Sequence, residues 1–85
     1  MMDMAMVRRY LGRHGVQDVL AEKAIADLEY LPPEAFLNWR ELTERLMRTG
    51  FAMDRATLFA MDLCDIAILL RREYEKGLEA ANQKS

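Results

Sequence analysis

The segment from residue 54 to about residue 76 constrains the fold most, because it reads as one helix with a very large apolar surface. Between Leu58 and Leu70 only Asp62 and Asp65 are polar. At about 100° per residue the apolar side chains fill an arc of roughly 220°, whereas a surface helix needs only about 100° to face its own core. The excess predicts that neighbouring helices, a second copy of the chain or another protein cover this helix.

The length of 85 residues predicts one domain, and a chain this small gains stability from association more often than a large one. Composition, with 52% hydrophobic and 31% charged residues, favours a folded chain over a disordered one. We expect a single helical domain over residues 1–79 and a disordered tail over residues 80–85.

The compartment is inferred from two features. The single cysteine, Cys64, cannot form an intramolecular disulfide, which fits a reducing environment. The first seven residues are too short and, at Asp3, too acidic for a signal peptide, and no apolar run reaches about 18 residues. We therefore expect a cytoplasmic protein.

The spacing of apolar residues is helical throughout, without the alternation that marks strands. It predicts an all-α fold: a small antiparallel bundle of three main helices plus a short N-terminal helix, with the long C-terminal helix as its spine. We expect the helices to cover residues 3–11, 16–29, 33–49 and 54–76, with Gly12 and Gly50 ending the first and third and Asp54 capping the fourth. In the third helix the apolar stripe of Ala35, Trp39, Leu42 and Leu46 predicts that Trp39 lies in the core.

Charge is unevenly distributed, although the net value is only −2. Residues 16–34 carry five acids against Lys23, and residues 1–15 carry Arg8, Arg9 and Arg13 against Asp3. An acidic protein is a poor default binder of nucleic acid, and the acidic segment suits a basic protein surface.

Side chains that could carry chemistry are few. His14 is the only histidine and lies in a turn, with no acid placed in sequence to orient it for general acid–base catalysis. Cys64 lies mid-helix, away from a helix N-terminus and beside an acid instead of a cation, so nothing in the sequence stabilises a thiolate and its expected role is core packing. Asp62 and Asp65 have a spacing that can hold a metal, but no Glu-x-x-His pair accompanies them. We expect no catalytic residue, no metal and no cofactor.

One surface of the fourth helix is a candidate binding site for another protein. Leu58, Asp62, Asp65, Leu69 and Arg72 lie on one side of the helix at i, i+4, i+7, i+11 and i+14, and we call this set the mixed stripe. Two carboxylates between leucines suit a partner's arginine, whose guanidinium can bind the acids while its stem covers apolar surface. The alternative is that Asp62 and Asp65 pair with arginines of the same chain.

The candidate cations for that internal pairing are Arg40, Arg45 and the N-terminal arginines.

These observations predict a small non-enzymatic interaction module, a homodimer, that binds and modulates or blocks another protein with a basic and apolar surface. Inhibitors from mobile elements, adaptors and subunits of larger complexes all fit this description. The alternative is a helical dimeric regulator linked to DNA through the basic N-terminal segment, although the third and fourth helices make a poor helix-turn-helix because the would-be reading helix is apolar and acidic.

Overall fold

The computed structural model describes residues 2–84, with side chains described for residues 2–81. These residues form an all-α bundle without strands, which confirms the predicted fold class. The elements are α1 (Met4–Arg13), α2 (Asp18–Leu28), a 3₁₀ turn η1 (Pro33–Leu37), α3 (Trp39–Thr49) and α4 (Met53–Lys84).

The ends of α1 and α3 follow from local capping chemistry. The Asp3 side chain accepts a hydrogen bond from the Ala5 amide at 2.9 Å and so caps α1. The helix runs past Gly12, where we expected it to end, and the chain reverses at Gly15, whose φ is +74°. Gly50, with φ +130°, ends α3 as predicted, and its amide bonds to the Leu46 carbonyl at 3.2 Å.

The predicted start of the third helix and the predicted burial of Trp39 are both wrong, for one reason. Residues 33–37 form a separate 3₁₀ turn, and α3 begins only after Asn38, whose side chain accepts from the Glu41 amide at 3.3 Å. Trp39 is therefore the first helical residue instead of the middle of a stripe, and it is 37% exposed. Its ring lies under the Arg40 guanidinium, 5.5 Å from the ring centroid, and buried Phe36 supplies the aromatic core residue of this region.

The fourth helix is longer than predicted. It begins at Met53, where the Ala52 carbonyl accepts the first helical bond from the Ala56 amide, so Asp54 lies in the first turn and is not the cap. The helix then continues through Gly77 to Lys84, a length of about 48 Å at 1.5 Å per residue. Ser85 lies outside the described residues, and the boundary at residue 79 between domain and tail stays a prediction.

The core forms between α4 and the elements that pack on its first five turns, chiefly α3, with η1 and α1 beside it. Phe59 and Leu63 are the central α4 residues, and Leu42 and Leu46 of α3 face the same core. The α4 helix is thus the spine, as expected. The bundle covers α4 only to about residue 70, since residues 71–81 are all exposed.

Candidate interaction surface

The outer face of α4 carries the exposed apolar residues predicted from the sequence. Leu58 and Leu69 are 51% and 58% exposed, and Asp65 lies between them, also exposed. Met61 extends the same face on one side, and exposed Arg72 follows Leu69 by one turn. Four of the five mixed-stripe residues are therefore open to a partner.

Most of the roughly 220° apolar arc is nevertheless covered within the chain. Phe59, Leu63, Cys64 and Ala67 are buried. Three more apolar residues are half-buried at the edges of the covered face: Ile66, Ile68 and Leu70. The uncovered apolar area is thus limited to the outer face and to the part of α4 beyond the bundle.

Asp62 differs from its neighbours because its carboxylate is bound internally. It accepts a hydrogen bond from the Tyr10 hydroxyl of α1 and is half-buried. Burial raises the pKa of Tyr10 above its ordinary value, and the hydrogen bond and the negative charge of Asp62 raise it further. A phenol therefore holds Asp62, whereas the predicted internal partners were all arginines.

An aromatic cluster positions that phenol. The Tyr10 ring meets the edge of Phe59 with centroids 5.7 Å apart, and His14 packs on both rings at 4.4 and 5.4 Å. The Arg55 guanidinium lies 5.2 Å from the Phe59 centroid and donates to the His14 carbonyl at 2.6 Å. These contacts fix the end of α1 against α4 and so fix one edge of the mixed stripe.

Two of the arginines expected as internal partners of the acids pair elsewhere, and a third, Arg40, lies over the Trp39 ring. Arg45 contacts Asp27 at 3.3 Å and Glu41 at 3.6 Å, and Arg8 contacts Glu22 at 2.9 Å. Within residues 2–81, Asp65 makes no ion pair. Its carboxylate points to solvent between two exposed leucines.

Among the described residues, the side chains that could take part in catalysis or metal binding do not lie together. Cys64 is buried and its thiol donates to the Leu37 carbonyl at 3.5 Å, as expected for a packing residue. His14 is exposed at the end of α1. Among the described residues, no group of three or more potential metal ligands lies close together.

Sequence reasoning missed Tyr10 and Met61 as parts of this surface. The contact between Tyr10 and Asp62 spans 52 residues of sequence, so no local pattern indicates it. Met61 belongs to the apolar arc of α4, yet it lies about 60° from Leu58 on a helical wheel and is exposed.

No family model, curated protein or solved structure matches this chain. None of the described helices is both long enough and apolar enough to cross a bilayer.

Proposed function

We propose that this protein is a non-enzymatic interaction module that binds another protein through the outer face of α4. The observation that carries the proposal is the exposure of Leu58 and Leu69 on either side of the unpaired carboxylate of Asp65. In this proposal the protein is a homodimer and acts by covering or recruiting the partner's surface.

The proposed partner presents an arginine or lysine surrounded by apolar side chains. Its cation would bind Asp65, and its apolar groups would cover Leu58, Met61 and Leu69. Such an arrangement places a charge pair inside an apolar rim, where water is excluded and the pair fixes the choice of partner. The Tyr10 bond keeps Asp62 at the edge of this surface, so Asp65 is the main acidic contact.

The test is affinity capture from the native cell with matched variants. Wild-type protein should retain a partner in stoichiometric amount, and the double variant Asp65→Lys with Leu69→Ser should lose it. Both positions are exposed, so the variant should melt like the parent. Val19→Ser is the matched control, because Val19 is an exposed apolar residue on α2, away from the outer face of α4.

Loss of the partner in the double variant but not in Val19→Ser would support the proposal. Equal retention by all three proteins would exclude the outer face of α4 as the binding surface. Asp62→Lys is unsuitable as a first test, since it would also remove the acceptor of the Tyr10 hydroxyl and lower stability.

The alternative function, a regulator linked to DNA, has less support. Of the three N-terminal arginines, Arg8 is paired with Glu22, which leaves Arg9 and Arg13 as the available cations of α1. Two phosphate contacts give only a weak affinity, because the electrostatic contribution scales with the number of phosphates contacted. Retention on duplex DNA at physiological salt would favour this alternative over the protein-binding proposal.

A further inference from the structure

The part of α4 beyond the bundle keeps the apolar stripe that faces the core. Core residues of α4 recur at alternating steps of three and four, and this spacing continues into the exposed part as Leu70, Tyr74, Gly77 and Ala81. A repeat of this kind is the pattern of helices that pack lengthwise on another helix. Yet residues 71–81 are all exposed, and Tyr74 is 65% exposed.

We propose that a second copy of this chain covers this stripe, with the two α4 extensions packed antiparallel. This inference rests on the homodimer part of the proposed function and adds the surface and its geometry. The two-fold axis would pass between Glu75 and Lys76, so that Tyr74 of one copy lies opposite Gly77 of the other.

The sizes of the stripe residues support this alignment. It places large Tyr74 against small Gly77 and large Leu70 against small Ala81, so each layer contains one large and one small side chain. Within the described residues, no packing contact requires a glycine at position 77: a methyl group built there would meet nothing within 4 Å, and glycine in an exposed helix costs about 1 kcal/mol relative to alanine. A tyrosine ring packed over residue 77 gives that glycine a function.

The charges of the extension favour the antiparallel arrangement over the parallel one. Its first two residues, Arg71 and Arg72, are basic, whereas residues 73–79 carry three glutamates against Lys76 and have a net charge of −2. Antiparallel packing places the basic end of one helix beside the acidic end of the other. Parallel packing would place like charges side by side, within the Debye length of about 8–10 Å.

A groove at the base of the extension completes the surface. Its volume is about 410 Å³, and it lies between η1 and α4, lined by Pro33, Leu37, Ala67 and Tyr74 among others. In the proposed dimer the partner's residues 77–81 lie opposite residues 70–74, so the end of the partner helix runs along this groove. The partner helix would therefore contact both the stripe and the 3₁₀ turn.

The area required shows that both contacts are needed. A specific interface buries at least about 600 Å² on each partner. An extension of about 15 residues is about 22 Å long, and half of its lateral surface is roughly 400 Å². The helix pair alone falls short, and the groove must supply the rest, so the dimer should form at micromolar concentration rather than at nanomolar.

The first experiment is sedimentation equilibrium of the full chain between 5 and 200 µM, a range chosen on the order of the expected micromolar dissociation constant. Wild-type protein should approach twice the chain mass of 9.9 kDa. Tyr74→Glu should weaken the dimer at least tenfold without changing the far-UV circular dichroism, because residue 74 is exposed. Leu69→Glu is the matched control: Leu69 is 58% exposed, lies about 110° around α4 from the centre of the stripe, and its replacement should leave the dimer intact.

A dimer that Tyr74→Glu does not weaken would overturn this inference and leave the homodimer itself standing. A monomer throughout the range would overturn both, without affecting partner binding by the mixed stripe. A monomer that binds a different protein in a Tyr74-dependent manner would show that the stripe has another occupant and would likewise refute the inference.

The second experiment tests the direction of the pair. A spin label at Asp65→Cys, in a Cys64→Ala background, measures the separation of the two copies. In the antiparallel dimer the labelled positions are separated by about 31 Å along the helix axis, whereas in a parallel dimer they lie side by side at about 10–20 Å. A short distance would refute the antiparallel arrangement.

Discussion

The hydrogen bond from Tyr10 to Asp62 should contribute measurable stability, and Tyr10→Phe isolates it because only the hydroxyl is removed. A buried hydrogen bond to a charged acceptor contributes about 1.5–3 kcal/mol. Both side chains are only half-buried, and solvent screening reduces the expected loss to about 1 kcal/mol. For a domain of this size, that loss lowers Tm by about 4–8 °C at pH 7.

The pH dependence gives the same contact a second signature. The folded protein holds the pKa of Tyr10 above its unfolded value of 10.0, because burial and Asp62 disfavour the phenolate. The unfolded chain therefore releases this proton at lower pH than the folded chain does. The contribution of this contact to the free energy of unfolding is fully present below pH 10 and is lost as pH rises above 10. The loss is at most about 1.4 kcal/mol per pH unit, and solvent screening of the half-buried pair makes it smaller.

Urea denaturation followed by circular dichroism at pH 7, 10 and 11 measures both effects. Wild-type protein should exceed Tyr10→Phe in stability at pH 7, and the two should converge between pH 10 and 11. Tyr30→Phe, at a highly exposed position, should follow the wild type at every pH. If Tyr10→Phe and the wild type have the same free energy of unfolding at pH 7, 10 and 11, the Tyr10 hydroxyl does not hold Asp62 in solution.

Two further substitutions test the packing of α4 and the turn before it. Phe59→Ala should cost about 3–5 kcal/mol, because Phe59 is 1% exposed and contacts three aromatic rings. Its urea midpoint should fall by about 3 M or more, whereas replacing exposed Met61 by alanine should lower the midpoint by less than about 1 M. Similar shifts for the two variants would contradict the buried position of Phe59 and the exposed position of Met61. Gly50→Ala should cost about 1–3 kcal/mol, since φ is +130° and the new methyl group would lie 3.3 Å from the Leu20 side chain. Gly77→Ala is the control: melted below about 1 µM, where dimerisation is negligible, it should show no fall in Tm. A Gly50→Ala variant with the wild-type Tm would contradict the positive φ at residue 50.

The fold was predictable because local signals carry it. Helical periodicity and the glycine at the end of α3 lie within a few residues of the features they specify. The boundary at Asn38 was missed because a 3₁₀ turn and the first turn of a helix have nearly the same apolar spacing. Because Asn38 caps α3, the helix begins at Trp39, so this residue lies at a helix end and not within the predicted apolar stripe.

The surface was predictable in part. Which α4 residues share a face follows from helix geometry alone, so Leu58, Asp65 and Leu69 could be grouped from the sequence. Which of those faces is covered depends on contacts between distant segments, and no local pattern encodes them. The placement of Tyr10 against Asp62 is of this kind, and it separates Asp62 from the acid that remains open.

That same contact has a consequence for the order in which the chain folds. It joins residues 52 apart, whereas α3 and α4 are neighbours in sequence and close against each other through a short loop. Short loops close sooner than long ones, so α3 and α4 should form the folding nucleus and α1 should dock after the rate-limiting step. Tyr10→Phe is then expected to accelerate unfolding and leave the folding rate almost unchanged, and a slower folding limb would place α1 in the nucleus.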